Sequence, residues 1–290
     1  MDTIPNNFLG LDEEHCRYHD ARFVVLPVPF DPTTSYQPGA RNGPAAIISA
    51  SQHMEWFDEE LGDEYYKCGI ATLDPVEPDM TGPEAMHEGL FKLARRLVRD
   101  GKFLFALGGE HSISSALVRA VMAKHKKLSV LQIDAHCDLR DRYRGNPYSH
   151  ACVMRRIVDL GASIVPVGVR SVSPEDHRFM KRRRIDPITA RECHTDGNWV
   201  NRALNALGDT VYVTIDIDGF DPACAPGTGT PEPGGLDWYQ VTALLRRVAA
   251  EKKVVGADIV EVAPIPGQVV TEFLAARLAY KLMAYVQVRA

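Results

Sequence analysis

Seven short apolar runs recur along the chain, at 23–28, 69–73, 102–107, 128–133, 164–169, 211–217 and 253–262. Several are continuous rather than alternating, as strands covered on both faces are. Between them, apolar positions return at helical spacing over 83–100, 112–126, 151–160, 174–183, 198–207 and 236–250, and a last such stretch closes the chain at 269–286. Pro83 and Pro174 stand where a first helical turn tolerates proline. Strand alternating with helix predicts an α/β fold with a mostly parallel, doubly wound sheet, because parallel neighbours need crossover connections. No repeat, low-complexity tract or flexible linker interrupts the pattern. The expectation is a single domain over 1–290, with 1–22 as an N-terminal extension open to an interface role. The stretch 31–44 is dense in turn formers, including Pro38, Gly39, Gly43 and Pro44. It reads equally as a plain connection and as an active-site wall.

The polar residues that end these runs carry the chemistry. The run 128–133 passes into Asp134, His136 and Asp138, three ligand-type side chains at alternate positions. A strand would point all three the same way. The strand is expected to end near Asp134 and the rest to curl over its C-terminal edge, where ligands of open α/β sheets gather. Two carboxylates and an imidazole meeting there need a compensating charge, which a divalent metal supplies. The run 102–107 passes into Gly108, Gly109, Glu110 and His111. Glycines let the backbone turn sharply at a strand end, bringing His111 to the same edge. The turn also suits a phosphate at a helix N-terminus, but Glu110 would repel it and no P-loop lysine follows. The run 211–217 ends in Asp216 and Asp218; Asp221, before Pro222, reads as turn chemistry. The run 253–262 brings Glu261 to the edge. His150 opens the helix after the loop 139–147, the place of a proton carrier or of a plain surface histidine.

Counting separates the metals. His111, Asp134, His136, Asp138, Asp216 and Asp218 are too many ligands, and too rich in oxygen, for one tetrahedral zinc. Two dications carry four positive charges, which four aspartates balance, and a shared hydroxide leaves a site that welcomes a cationic substrate. One histidine per ion among carboxylates favours two Mn²⁺. Metals about 3.5 Å apart can share a water and lower its pKa towards neutrality.

Composition narrows the setting. The chain of 290 residues is 45% hydrophobic and 24% charged, enough for a core without staples. A net charge of −5 argues against a nucleic-acid or membrane partner; the basic run 181–184 reads as a solvated helix end. Cys16, Cys68, Cys137, Cys152, Cys193 and Cys224 form no CxxC pair and read as reduced thiols. With no long apolar span and no basic start before an apolar stretch, the expected location is cytoplasmic.

Together these motifs resemble the ureohydrolase family of arginases and agmatinases. The matching pieces are GGEHS at 108–112, DAHCD at 134–138, SHA at 149–151, DIDGFDP at 216–222 and EVAP at 261–264. SYQPGARNGP at 35–44 and APGTGTPEPGG at 225–235 look like the agmatinase branch. The resemblance implies a three-layer α/β/α fold, two Mn²⁺ per chain, a homotrimer or homohexamer, and release of urea from a small cationic guanidino substrate. Agmatine, which would yield putrescine for polyamine biosynthesis, and aminopropylagmatine lead that list. It also implies that His111 and Asp138 hold one metal, His136 and Asp218 the other, and that Asp134 and Asp216 bridge. A shared hydroxide would attack the guanidinium carbon, with Asp138 passing its proton to the leaving amine. His150 would shuttle protons or orient substrate, and Glu261 would pair with the guanidinium.

Three positions depart from the family pattern: Ala263 stands for an Asn, Cys137 for a Thr, and Arg140 where arginase binds a substrate carboxylate through Asn. Glu175 and Asp176 are the expected contacts of the cationic tail, with Tyr36 and Tyr148 as walls. Guanidinobutyrate and arginine are alternative substrates. A mononuclear zinc deacylase and a non-catalytic metal-bound scaffold are the readings of other classes.

Overall fold

In a computed structural model of the protein, residues 5–289 are described. Eight strands form one sheet: β1 (Phe23–Val28), β4 (Ile70–Thr72), β5 (Phe103–Gly108), β6 (Ser129–Ile133), β7 (Ser163–Val169), β8 (Ile188–Thr189), β9 (Thr210–Asp216) and β10 (Lys253–Val260). Their spatial order is β4-β1-β5-β10-β9-β6-β7-β8, and every pairing is parallel. A separate antiparallel ribbon joins β2 (Phe57–Asp58) to β3 (Asp63–Glu64).

Strand alternation divides the core into two layers. Phe23 and Val25 of β1 face one side, while Val24, Leu26 and Val28 face the other. The first side packs against α2 (Gly43–Ser51), α7 (Ala190–Thr195), α8 (Trp199–Ala206), α9 (Trp238–Glu251) and α10 (Val270–Val288). The second packs against α3 (Pro83–Arg99), α4 (Ser114–Met122), α5 (Val153–Asp159) and α6 (Pro174–Arg183). The result is the expected three-layer α/β/α arrangement. One more short helix, α1 (Glu13–Cys16), lies in the N-terminal stretch, where Phe8, Leu9 and Leu11 are buried in the first core layer.

The periodicity misses the short elements α1, α2, α7, β8 and the β2–β3 ribbon. Each is too brief to show a period, or is hidden among turn-forming residues. The basic run 181–184 is exposed at the end of α6, where Arg184 adopts a left-handed cap.

Register places the site. Leu107, Ile259, Ile215 and Ile133 are paired in one row across β5, β10, β9 and β6. Whatever follows those residues leaves the sheet at one C-terminal edge.

The ribbon is pinned to α10 by a buried cation. Lys281 is 3% exposed, and its Nζ donates to Asp58 Oδ1 at 2.9 Å and Glu59 Oε1 at 3.2 Å. Tyr285 donates to Glu60 Oε2 at 2.6 Å, and Tyr280 to the Trp56 carbonyl at 2.6 Å. Lys281→Ala strands a buried Asp58 carboxylate and is expected to cost about 3–5 kcal/mol. The check is the thermal midpoint, which should fall by several degrees, while metal content stays unchanged.

Candidate active site

Four strand ends converge. After β5, Gly109 passes so close to Phe30 that a Cβ would lie 2.1 Å from its carbonyl oxygen, so only glycine fits. The turn delivers His111. After β6, Asp134 keeps one sheet contact, its N–H donating to the Val167 carbonyl at 3.0 Å, and the chain then curls over the edge. After β9, a single helical turn (Ile217–Gly219) carries Asp218, and a Cβ on Gly219 would meet the Asp134 nitrogen at 2.9 Å. After β10 comes Glu261. Asp138 and Glu261 both hold left-handed backbone, at φ of 52° and 63°. Such conformations are costly for non-glycine residues and cluster at functional sites.

The side chains form two groups that share Asp134: His111, Asp134 and Asp216, and Asp134, His136 and Asp218. His111 Nδ1 lies 3.2 Å from Asp134 Oδ2, 3.2 Å from Asp138 Oδ2 and 3.4 Å from Asp216 Oδ2. His136 Nδ1 lies 3.0 Å from Asp218 Oδ2 and 3.6 Å from Asp134 Oδ1. Asp138 approaches His111 without belonging to either group.

Charge balance tests whether divalent cations fit. His111 Nδ1 is buried and makes no hydrogen bond despite three neighbouring carboxylates. Burial lowers the basicity of His111 and His136, but their aspartate partners outweigh it: His111 rises well above the usual range and His136 to about 12. Burial and then neighbouring carboxylates push Asp138 up to about 6 and Asp216 well above its ordinary value. The two histidines, Asp138 and Asp216 are thus driven to hold protons, as groups of an anionic cluster are when positive charge is missing. Two dications would supply that charge, so the donors fit them.

Polar contacts behind the cluster hold it in shape. Gln132 Nε2 donates to Asp134 Oδ2 at 2.8 Å, and the His136 N–H to Asp134 Oδ1 at 2.6 Å. The Ala135 N–H donates to Asp218 Oδ1 at 3.0 Å. His111 Nε2 meets Thr214 Oγ1 at 2.9 Å; Thr214 donates to Asp258 Oδ1 at 2.6 Å, and Tyr212 to Asp258 Oδ2 at 2.7 Å. Arg170 donates to the carbonyls of Asp218 at 2.7 Å and Glu232 at 2.7 Å, tying the loop 225–235 to the site. Sequence reading assigns none of these roles. The available signal was a polar residue, such as Gln132, Thr214 or Asp258, inside an otherwise apolar strand. Asp221 accepts the N–H groups of Ala223, Gly234 and Gly235, the turn chemistry expected of it.

A cleft of about 170 Å³ opens onto the cluster. Its walls include Asp138, Asp218, His150, Glu261, Asp176 and Arg140. The stretch 34–37 also lines it, so the turn-rich segment is a wall as well as a connection, and Tyr36 stands there 71% exposed. Glu261 is buried and accepts the His111 N–H at 2.7 Å. Burial, and then the nearby Glu110 carboxyl, raise its pKa well above the usual range. Burial and the charge of His111 lower His150 to about 4, keeping its imidazole neutral. Asp176 caps α6 through Oδ2, while its buried Oδ1 has no partner.

Two expected contacts fall elsewhere. Glu175 does not line the cleft: its Oε1 accepts the Asp141 N–H at 2.9 Å, which turns it along the adjoining loop. Adjacent positions at a helix start diverge by about 100°, so Asp176 and Glu175 cannot both face inward. Tyr148 packs edge-on against His87, with ring centres 4.9 Å apart, and is not a wall.

A model of the arginase family matches residues 21–285. An N(1)-aminopropylagmatine ureohydrolase of Synechocystis sp. is 42% identical over 97% of this chain and 94% of its own. An agmatinase of Pyrococcus horikoshii is 37% identical over 84% of each chain. Among solved structures, the agmatine ureohydrolase of Thermoplasma volcanium matches with a TM-score of 0.88 at 33% identity, covering 98% of this chain and 94% of that one.

Proposed function

Because the chain belongs to the arginase family and is a hydrolase of guanidino compounds, we propose that it frees urea from N(1)-aminopropylagmatine or agmatine with two Mn²⁺ bound. The observation that carries this reading is the pair of ligand groups sharing Asp134 in one cleft with Glu261 and Asp176. His111, Asp134, Asp138 and Asp216 would hold one ion, and His136, Asp134, Asp216 and Asp218 the other, with Asp134 and Asp216 common to both. When bound, such ions make water a nucleophile near neutral pH. Oxygen-rich ligation with one imidazole each favours Mn²⁺ over zinc.

The chain's own residues do the rest. Glu261 accepts the planar guanidinium in a two-bond contact. Asp138 holds the proton of the attacking water and delivers it towards the leaving amine. His150, neutral and on the cleft wall, accepts and returns a proton at the amine. Asp176, on the cleft wall with one oxygen left unpartnered, receives an ammonium of the tail.

A second reading takes a carboxylate tail, as in guanidinobutyrate or arginine, and Arg140 on the same cleft favours it. Urea release measured side by side on aminopropylagmatine, agmatine, guanidinobutyrate and arginine separates the two. No urea from any of them would end both. Asp176→Asn is expected to raise KM for the cationic substrates roughly 10-fold or more, the effect of one charged hydrogen bond, and to leave guanidinobutyrate unchanged. An equal shift on both would remove Asp176 from tail recognition.

The same reading makes residues 1–290 a single domain that assembles as a homotrimer or homohexamer in the cytoplasm. The six free cysteines suit a reducing compartment. Among the described residues no helix is long and apolar enough to cross a membrane. Light scattering reads the assembly directly, and a monomeric mass would reject it.

A further inference from the structure

We infer that Thr33 and Glu110 are positioning residues that hold the His150 imidazole in one tautomer, with the Nδ1 proton turned to Thr33 and Nε2 left for the cleft. The inference rests on the role proposed above for His150.

Thr33 Oγ1 meets Glu110 Oε1 at 2.8 Å, the His150 backbone nitrogen at 3.1 Å and His150 Nδ1 at 3.3 Å. A hydroxyl has one proton and two lone pairs. The His150 N–H can only donate, so it takes one lone pair. Glu110 is fully buried and also accepts the Thr33 N–H at 2.6 Å and the Ser112 hydroxyl at 2.5 Å. The Thr33 N–H can only donate, and in its carboxylate form Glu110 accepts all three donors, so the Thr33 proton goes to it as well. The remaining lone pair faces His150 Nδ1 at 3.3 Å, which favours a proton on that nitrogen, and the Ser149 Oγ, 3.4 Å from the same atom, then accepts as a second, longer contact.

A neutral imidazole with its proton on Nδ1 has its free electron pair on Nε2. That pair can take a proton from a group in the cleft and hand it back. The Tyr143 ring stands edge-on to the imidazole at 5.9 Å between centres, adding a second wall to the ring's orientation. The chain Glu110–Thr33–His150 therefore links the strand end carrying His111 to the turn-rich segment 31–44. Its carboxylate is occupied by Thr33 and Ser112, not by the ligand cluster.

The test is a cycle on Thr33 and His150, with urea release and bound metal read for every variant. Thr33→Val keeps the backbone N–H and the shape but loses the hydroxyl. It should lower kcat roughly 10–100-fold, the cost of losing a group that orients a functional histidine, while KM changes less than about threefold and metal content stays at the wild-type value. Thr33→Ser should recover most of kcat. In a His150→Asn background, Thr33→Val should slow turnover no further. If Thr33→Val does not fold, Thr33→Ala takes its place in the same cycle. Wild-type kcat without the hydroxyl, no recovery by serine, loss of metal, or a full multiplicative drop in the double variant would each overturn the relay while leaving His150 in its role. Unchanged turnover in His150→Asn alone would instead remove the role on which the relay depends.

Discussion

Asp134→Asn is expected to slow urea release by roughly 10³-fold or more and to leave fewer than two metals per chain. Asp134 is the one residue common to both ligand groups. Its two oxygens face different imidazoles, Oδ2 towards His111 at 3.2 Å and Oδ1 towards His136 at 3.6 Å. Although burial opposes its ionisation, His111 and His136 outweigh that and hold it ionised well below the usual carboxylate range. An amide keeps the shape and loses the charge. A dication's contribution to such chemistry is several kcal/mol, and each 1.4 kcal/mol is a factor of ten. Metal analysis of the purified variant, with circular dichroism as the check on folding, reads the result. Two tightly held ions together with wild-type turnover would show that Asp134 is not the shared ligand.

His150→Asn should cost roughly 10²–10⁴-fold in turnover, the range for losing a positioned acid–base group, with both metals retained. The two outcomes separate its role from that of Asp134, because His150 belongs to neither ligand group. Its burial and the charge of His111 depress its pKa to about 4, so the neutral form persists across the neutral range and charges only as pH falls through about 4. Loss of turnover above that pH therefore belongs to other groups. An asparagine variant as fast as the parent would take His150 out of the mechanism.

The candidate site was legible where chemistry and spacing coincide. His111, Asp134, His136, Asp138, Asp216, Asp218 and Glu261 each end or follow an apolar run, and a strand end is the one place where such residues escape the core. His150 carried a weaker signal, a position just after the loop 139–147 that leaves the Asp134–Asp138 stretch, and the cleft gave it weight. Glu175 and Asp176 show where that kind of reading stops. Both are acids at a helix start, equivalent in sequence, yet Glu175 is held by the Asp141 N–H, whereas Asp176 lines the cleft and keeps one buried oxygen unpartnered. Thr33 gave no signal at all, being one of two adjacent threonines in a segment of turn formers.

By itself the chain determined its longer elements, the parallel character of its sheet, and the supply of two imidazoles and four aspartates at strand ends. Those follow from backbone geometry over a few residues, with a period of two in strands and 3.6 in helices. Only the tertiary structure decided the strand order β4-β1-β5-β10-β9-β6-β7-β8 and the single row of Leu107, Ile259, Ile215 and Ile133. That row brings residues far apart in sequence to one edge, and it depends on how two core layers pack against the sheet. The direction of a side chain such as Asp176, or the reach of Thr33 to Glu110 and His150, is set by that packing and leaves no trace in local spacing.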